Sequence, residues 1–155
     1  LTSKVTGVLP TANGGYGSGI MVSAIDAAST TIQSTITNYA NGNITITVPA
    51  AGKIIIDANV VLLIHHATAV DEAYTLLIGT SPSDNYGSGP YWWYYGYVPS
   101  SAVVGSNIFQ TCAVKGFITA PAAGTYTLYL NGWMSSGQDA GDQFYFSGMT
   151  ATFYR

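Results

Sequence analysis

From Asn43 to Val48 the side chains of Ile44, Ile46 and Val48 alternate with Thr45 and Thr47. A period of two places one set on a buried face and the other on a solvated face of a strand. Pro49-Ala50-Ala51-Gly52 breaks the run, and an extended segment resumes at Lys53. Ile54, Ile56, Ala58, Val60, Leu62 and Ile64 fall on one of its faces, and Ile55, Asp57, Asn59, Val61, Leu63 and His65 on the other, so both faces carry large aliphatics. The same grammar returns late in the chain. Pro121-Ala122-Ala123-Gly124 precedes a segment in which Tyr126, Leu128 and Leu130 alternate with Thr127, Tyr129 and Asn131. A last strand, Gln143 to Tyr154, sets Phe144 and Phe146 on one face. Gly148 is the expected site of a bulge in it, after which Met149, Ala151 and Phe153 alternate with Thr150, Thr152 and Tyr154. Shorter candidates are Ser3 to Leu9, Ile20 to Ile25, Thr31 to Thr37, Tyr74 to Ile78, Tyr91 to Val98 and Asn107 to Ile118.

No segment repeats apolar residues at the helical spacing behind a cap, so the chain reads as all-β with about nine or ten antiparallel strands. The twofold Pro-Ala-Ala-Gly corner suits a jelly-roll β-sandwich, which contains two related Greek-key halves. The 155 residues are expected to form one domain, with residues 1–19 an N-terminal segment and Gly-rich linker and residues 20–155 the sandwich body.

Composition changes this picture in one respect. Charged residues make up 7% of the chain, against about 25% in an ordinary soluble protein, while apolar content is normal. Ser, Thr, Asn, Gly and twelve Tyr supply the polarity instead, and such a surface lacks the self-repulsion that keeps copies apart. Lys4, Lys53, Lys115 and Arg155 are scattered and make no phosphate-binding stripe, which argues against nucleic acid. The seven acidic residues are dispersed too. Cys112 is the sole cysteine, so no internal disulfide forms, and it reads as a buried core residue. The longest apolar run, Val60 to Ile64, is far too short for a membrane span. A first residue that is Leu1 rather than Met fits a processed, exported polypeptide, with an extracellular, cell-surface or virion-surface location and a docked first segment.

Two stretches carry a resemblance. Ile46-Thr47-Val48-Pro49-Ala50-Ala51-Gly52-Lys53-Ile54-Ile55-Ile56 and Gly141-Asp142-Gln143-Phe144-Tyr145-Phe146-Ser147-Gly148-Met149 resemble the jelly rolls of tumour necrosis factor and complement globular heads. That family opens a core strand at a "Val-Pro-x-x-Gly-x-Tyr" corner and closes the sandwich on "Gly-Asp-x-aromatic … Phe-Ser-Gly". The likeness runs from about Asn43 to Arg155 and implies trimerisation and display on surface fibres, filaments or phage appendages. The chain departs from it at Lys53-Ile54-Ile55, where the family often has an aromatic, and in its longer first segment, Leu1 to Ala40.

Candidate chemistry is sparse. His65 and His66 are the only imidazoles, and as strand neighbours they point to opposite faces, so they neither chelate one metal nor act jointly. No Gly-x-Ser-x-Gly elbow accompanies them, and no catalytic site, metal or cofactor is expected. Asp139-Ala140-Gly141-Asp142 reads as a solvated turn, with calcium the weaker alternative for want of ligands. Asn43-Ile44-Thr45 matches the glycosylation sequon. The conspicuous feature is the aromatic run Tyr91, Trp92, Trp93, Tyr94, Tyr95 and Tyr97. Alternation sets Tyr91, Trp93 and Tyr95 on one face and Trp92, Tyr94 and Tyr97 on the other, subject to Gly96. Coverage within the fold, a subunit contact and a glycan-binding surface are all open to these rings.

These observations lead to a non-catalytic subunit that assembles with copies of itself into an extracellular filament or a surface or virion appendage. The alternative is a glycan- or receptor-binding head, trimeric or lectin-like. Val5, Val8 and Leu9, set off by the Gly-rich run 13–19, form a candidate donor strand for a neighbour's sheet, though pairing at home is equally open. So few charges also predict an assembly that tolerates acid and salt, with Asp57 and Lys53 the first pair to test.

Overall fold

Long β-branched and aliphatic runs with no helix caps leave the backbone to satisfy its hydrogen bonds between strands. The computed structural model describes residues 20–26, 28–85 and 92–155, and among them it contains ten strands and one 3-10 turn, Ala40–Gly42. The strands are β1 (Met21–Asp26), β2 (Thr30–Thr31), β3 (Thr37–Asn38), β4 (Ile44–Val48), β5 (Gly52–His66), β6 (Glu72–Gly79), β7 (Trp92–Val98), β8 (Ser106–Ala120), β9 (Gly124–Ser136) and β10 (Gln143–Tyr154). Val5, Val8, Leu9 and Tyr91 lie outside the described residues.

The pairings nest. Strand β1 pairs with β10, β4 with β9, β5 with β8 and β6 with β7, all antiparallel, as if one long hairpin had been rolled up. Strand β10 also pairs with β5, and β9 with β6, which joins the nested pairs into two five-stranded sheets. The first sheet runs β1-β10-β5-β8 with β2 on β10, and the second runs β3-β9-β6-β7 with β4 on β9. This is the all-β, two-sheet jelly-roll sandwich that the alternation predicts. Each Pro-Ala-Ala-Gly corner carries the chain from one sheet to the other, β4 into β5 and β8 into β9.

Strand β5 shows why the sandwich closes. Ile54, Ile56, Ala58, Val60, Leu62, Ile64 and His66 are all buried, and every residue of β5 is in register with β8 from Gly52 opposite Ala120 to His66 opposite Ser106. Ile44, Ile46, Val48, Leu128, Leu130, Met134, Tyr74, Leu76 and Ile78 face them from the second sheet. Tyr39 and Phe144 stack within this core, ring centroids 4.9 Å apart, and the Tyr39 hydroxyl donates to the Ala28 carbonyl. Cys112 is buried there as expected.

Two expectations are corrected. Thr31 to Thr37 is not one strand, because here the chain crosses from β2 in the first sheet to β3 in the second. Gln33 N–H donates to Thr37 Oγ1 across the bend. The bulge in β10 falls at Tyr145, not Gly148: Phe144 sits opposite Leu62 and Phe146 opposite Val61, so Tyr145 is the extra residue. That insertion changes which parity faces inward, with Phe144 buried before it and Ser147, Met149, Ala151 and Phe153 buried after it. The short candidate Tyr74 to Ile78 lies within β6, which is buried along all eight residues. Tyr74, Leu76 and Ile78 enter the core, while Thr75 and Leu77 are covered on the opposite face.

Candidate functional site

The first sheet turns an unusual surface away from the core. One row across it runs Met21, Thr152, Ile55 and Phe117, and another runs Gln143, Leu63 and Phe109. Met21, Phe109 and Phe117 are 67%, 57% and 43% exposed. Tyr145, which the bulge places on the surface, meets Phe109 edge to face at 5.3 Å. Between these apolar rows lies a polar one, Ser23, Thr150, Asp57 and Lys115, over a shallow depression of about 410 Å³. Lys115 Nζ is 2.9 Å from Asp57 Oδ1. The pairing expected between Asp57 and Lys53 is therefore corrected: cross-strand register gives Asp57 to Lys115, and Lys53 Nζ lies 4.8 Å from the centroid of the Phe117 ring instead.

The aromatic run divides by a different rule from the one its glycine suggested. Strand β7 pairs with β6 without a break from Val98 opposite Glu72 to Trp92 opposite Ile78, so Gly96 causes no shift of face. Trp93, Tyr95 and Tyr97 share the outer face, and Trp92 and Tyr94 the inner one, which corrects the grouping of Tyr97 with Trp92 and Tyr94. A Cβ at Gly96 would stand 1.9 Å from the Tyr74 ring, so this glycine makes room for a core tyrosine. Tyr94 stacks on Tyr74 at 6.3 Å. Trp92 closes the open side of the sandwich: its indole N–H donates to the Phe117 carbonyl at 2.9 Å, and its ring occupies the space a side chain at Gly116 would need. Tyr97 hydrogen-bonds Asp71, which also accepts from Ser100 N–H at 2.8 Å. The Ser100 amide first, then the Tyr97 hydroxyl, hold the Asp71 carboxyl below the usual carboxylate range.

Trp93 and Tyr95 of the run line a groove of about 320 Å³ completed by Thr75, Trp133 and Ser135. Tyr95 and Trp133 are both register partners of Thr75, one on each side, so the groove spans β7, β6 and β9. The segment after β6 packs on the same sheet. Asn131, fully buried, donates to the carbonyls of Ser81 and Asp84, and Asp84 Oδ2 accepts from the N–H groups of Thr80 and Ser81. That loop folds back over its own sheet next to Leu77. The sequence reading missed Trp133, although the alternation Tyr129, Asn131, Trp133 against Leu128, Leu130, Met134 places it on the outer face.

At one end of the sandwich the sparse charges gather. His65 and His66 point to opposite faces, His65 half exposed and His66 fully buried. His65 Nδ1 is 2.9 Å from Asp139 Oδ2, and Asp142 accepts from His65 N–H at 2.9 Å and from Asp139 N–H at 2.7 Å. Asp142 is fully buried, so the solvated turn expected over Asp139 to Asp142 is solvated only at its first residues. Burial pushes the Asp142 carboxyl up to about 6 against the lowering effect of its two backbone donors. His66 Nδ1 lies 3.1 Å from Glu72 Oε2, both side chains buried, and burial raises the Glu72 carboxyl against the lowering effect of His66. Among the described residues no three His, Cys, Asp or Glu side chains are placed to hold a metal ion. Among them, too, no helix is long and apolar enough to cross a membrane.

Asn43 has an internal role. Its Nδ2, the atom that would carry a glycan, donates to Asn38 Oδ1, while its Oδ1 accepts from Asn38 Nδ2 and Leu130 N–H.

The chain is thus a jelly-roll sandwich with two contrasting outer faces. No family model matches it, and no curated protein does. Among solved structures it is similar to one described as "Structure of infectious bursal disease virus Gx strain", at 16% identity over 90% of this chain with a TM-score of 0.38. The chain spans 34% of that chain's length, and the likeness is too distant to carry an argument about this protein.

Proposed function

We propose that this chain is a non-catalytic structural subunit that assembles with copies of itself in an extracellular or virion-surface particle, through the outer face of the first sheet. The observation that carries the reading is the pair of apolar rows, Met21 with Ile55 and Phe117, and Leu63 with Phe109 and Tyr145, on a sheet face whose only lysine or arginine ion pair among the described residues is Asp57 with Lys115. A second copy suits this face better than a charged partner, because the apolar rows offer area for burial and the chain's few charges offer little repulsion. Burial here works against water at about 25 cal/mol per Å², and the lone ion pair sets orientation more than affinity.

The test is light scattering over a concentration series. The native chain is expected to grow in mass with concentration, and Phe109→Lys with Phe117→Asp to remain monomeric. A monomeric native chain, or a double variant that assembles unchanged, overturns the proposal. Removal of residues 1–10 asks separately whether Val5, Val8 and Leu9 donate a strand to a neighbour: intact polymers of the shortened chain would rule that route out.

A further inference from the structure

We infer that the groove between Trp93, Tyr95 and Trp133 on the second sheet is a binding site for a neutral saccharide, one or two pyranose rings long. It lies on the opposite sheet from the assembly face and stands independently of that reading. Tyr95 and Trp133 flank Thr75 from neighbouring strands. Two strand spacings put the walls about 9.6 Å apart at the backbone. A flat ring held at van der Waals contact on both sides needs about 7–8 Å, so one sugar layer fits and a duplex or helix does not. Trp93, at 57% exposure, extends one wall along β7. The volume, about 320 Å³, lies at the small end of ligand sites, which run from roughly 300 to 1,000 Å³.

The lining chemistry selects the class. None of the five lining residues carries a charge, so neither a phosphate nor a carboxylate finds a counter-ion. A pyranose presents apolar C–H faces and hydroxyl edges, and the groove answers with aromatic walls, the hydroxyl of Thr75 buried between them and that of Ser135 more exposed on β9. Ser135 Oγ donates to the Ala73 carbonyl at 3.2 Å, which fixes its position and leaves its lone pairs to accept from a sugar hydroxyl.

The experiment titrates the full chain with cello-, xylo-, manno- and chito-oligosaccharides, following tryptophan fluorescence and heat. The expected result is saturable binding of at least one series, unchanged when salt is raised to about 0.5 M because no charge pair contributes. Trp93→Ala and Tyr95→Ala are each expected to weaken it about tenfold or more, the loss typical of an aromatic contact that supplies binding energy. Trp133→Leu keeps bulk over Thr75 while removing the flat face, and is expected to lose binding with its circular dichroism intact. Phe109→Lys, on the other sheet, is expected to bind saccharide normally, which separates failure of this site from failure of assembly. No binding in any of the four series, binding indifferent to Trp93→Ala, or binding of a proline-rich peptide or tetramethylammonium in place of saccharide overturns the inference.

Discussion

The outer faces of the two sheets differ although both are built from alternating strands. On the first sheet β5 buries one face only, and the other remains partly or fully open along Ile55, Asp57, Asn59, Val61 and Leu63. On the second sheet β6 is buried on both faces. The difference comes from the covering that each central strand receives. The loop after β6 returns over its own sheet, fastened by Asn131 and Asp84, and the large rings of Trp93 and Trp133 stand on either side of the central strand. Among the described residues nothing comparable covers the first sheet. One outer face therefore has a shallow second layer with a groove in it, and the other is a more open surface on which apolar and polar rows alternate.

The largest test of this contrast compares Leu77 with Ile55, which occupy outer-face positions on the two sheets. Leu77→Ala is expected to cost about 2–5 kcal/mol, as in a core, because it opens a cavity beneath the returning loop. Ile55→Ala is expected to cost about 1 kcal/mol or less, as on a surface. Urea denaturation of both variants reads the difference, and equal costs would mean that the second sheet has no outer layer.

A smaller effect is expected at the end of the sandwich where the β5–β6 and β9–β10 links meet. Asp142 has a folded-state pKa of about 6, raised from 3.8 by burial, so the folded chain holds its proton more tightly than the unfolded chain does. The corresponding stability is fully present below about pH 4 and is lost as pH rises through 6, by on the order of 3 kcal/mol at about 1.4 kcal/mol per unit. Glu72, raised by the same cause, has the same sign. Denaturation midpoints from pH 4 to 7.5 should fall in the native chain, and Asp142→Asn should flatten most of that slope. A midpoint that rises over this range in the native chain would contradict the assignment. Buried carboxylates therefore favour the folded chain in acid, in the same direction as the shortage of ion pairs.

The smallest effect belongs to the polar row of the first sheet. Lys115 and Asp57 are 68% and 41% exposed at the side chain, and a pair so open to water is worth about 0–1 kcal/mol. A double-mutant cycle of Asp57→Asn and Lys115→Met in the monomer should give a coupling in that range. A coupling well above 1 kcal/mol would show that the row is less open to solvent than the first sheet's other outer positions.

Much of the fold was legible because strand alternation is local. The strands around Ile44 to Val48, Lys53 to His65 and Gln143 to Tyr154, and both Pro-Ala-Ala-Gly corners, were readable within one or two residues. Strand β6 showed only the short candidate Tyr74 to Ile78, since a segment buried on both faces carries little alternation to find. The candidate groove was half legible. Trp93 and Tyr95 stood out in an aromatic run, whereas Trp133 is forty residues later in the chain and joins them only because β9 lies beside β6.

The sequence by itself determined the all-β class, the two opposed sets of β5 and the opposition of His65 and His66, because each follows from a period of two along one strand, and the burial of Cys112, because an unpaired cysteine behaves as a small apolar residue. Tertiary structure alone decided the partner of Asp57, the extra residue at Tyr145, the face taken by Tyr97, the burial of Asp142 and the meeting of Trp133 with Tyr95. Those depend on the register between strands far apart in sequence, and no local pattern encodes which residue of a distant strand will lie opposite.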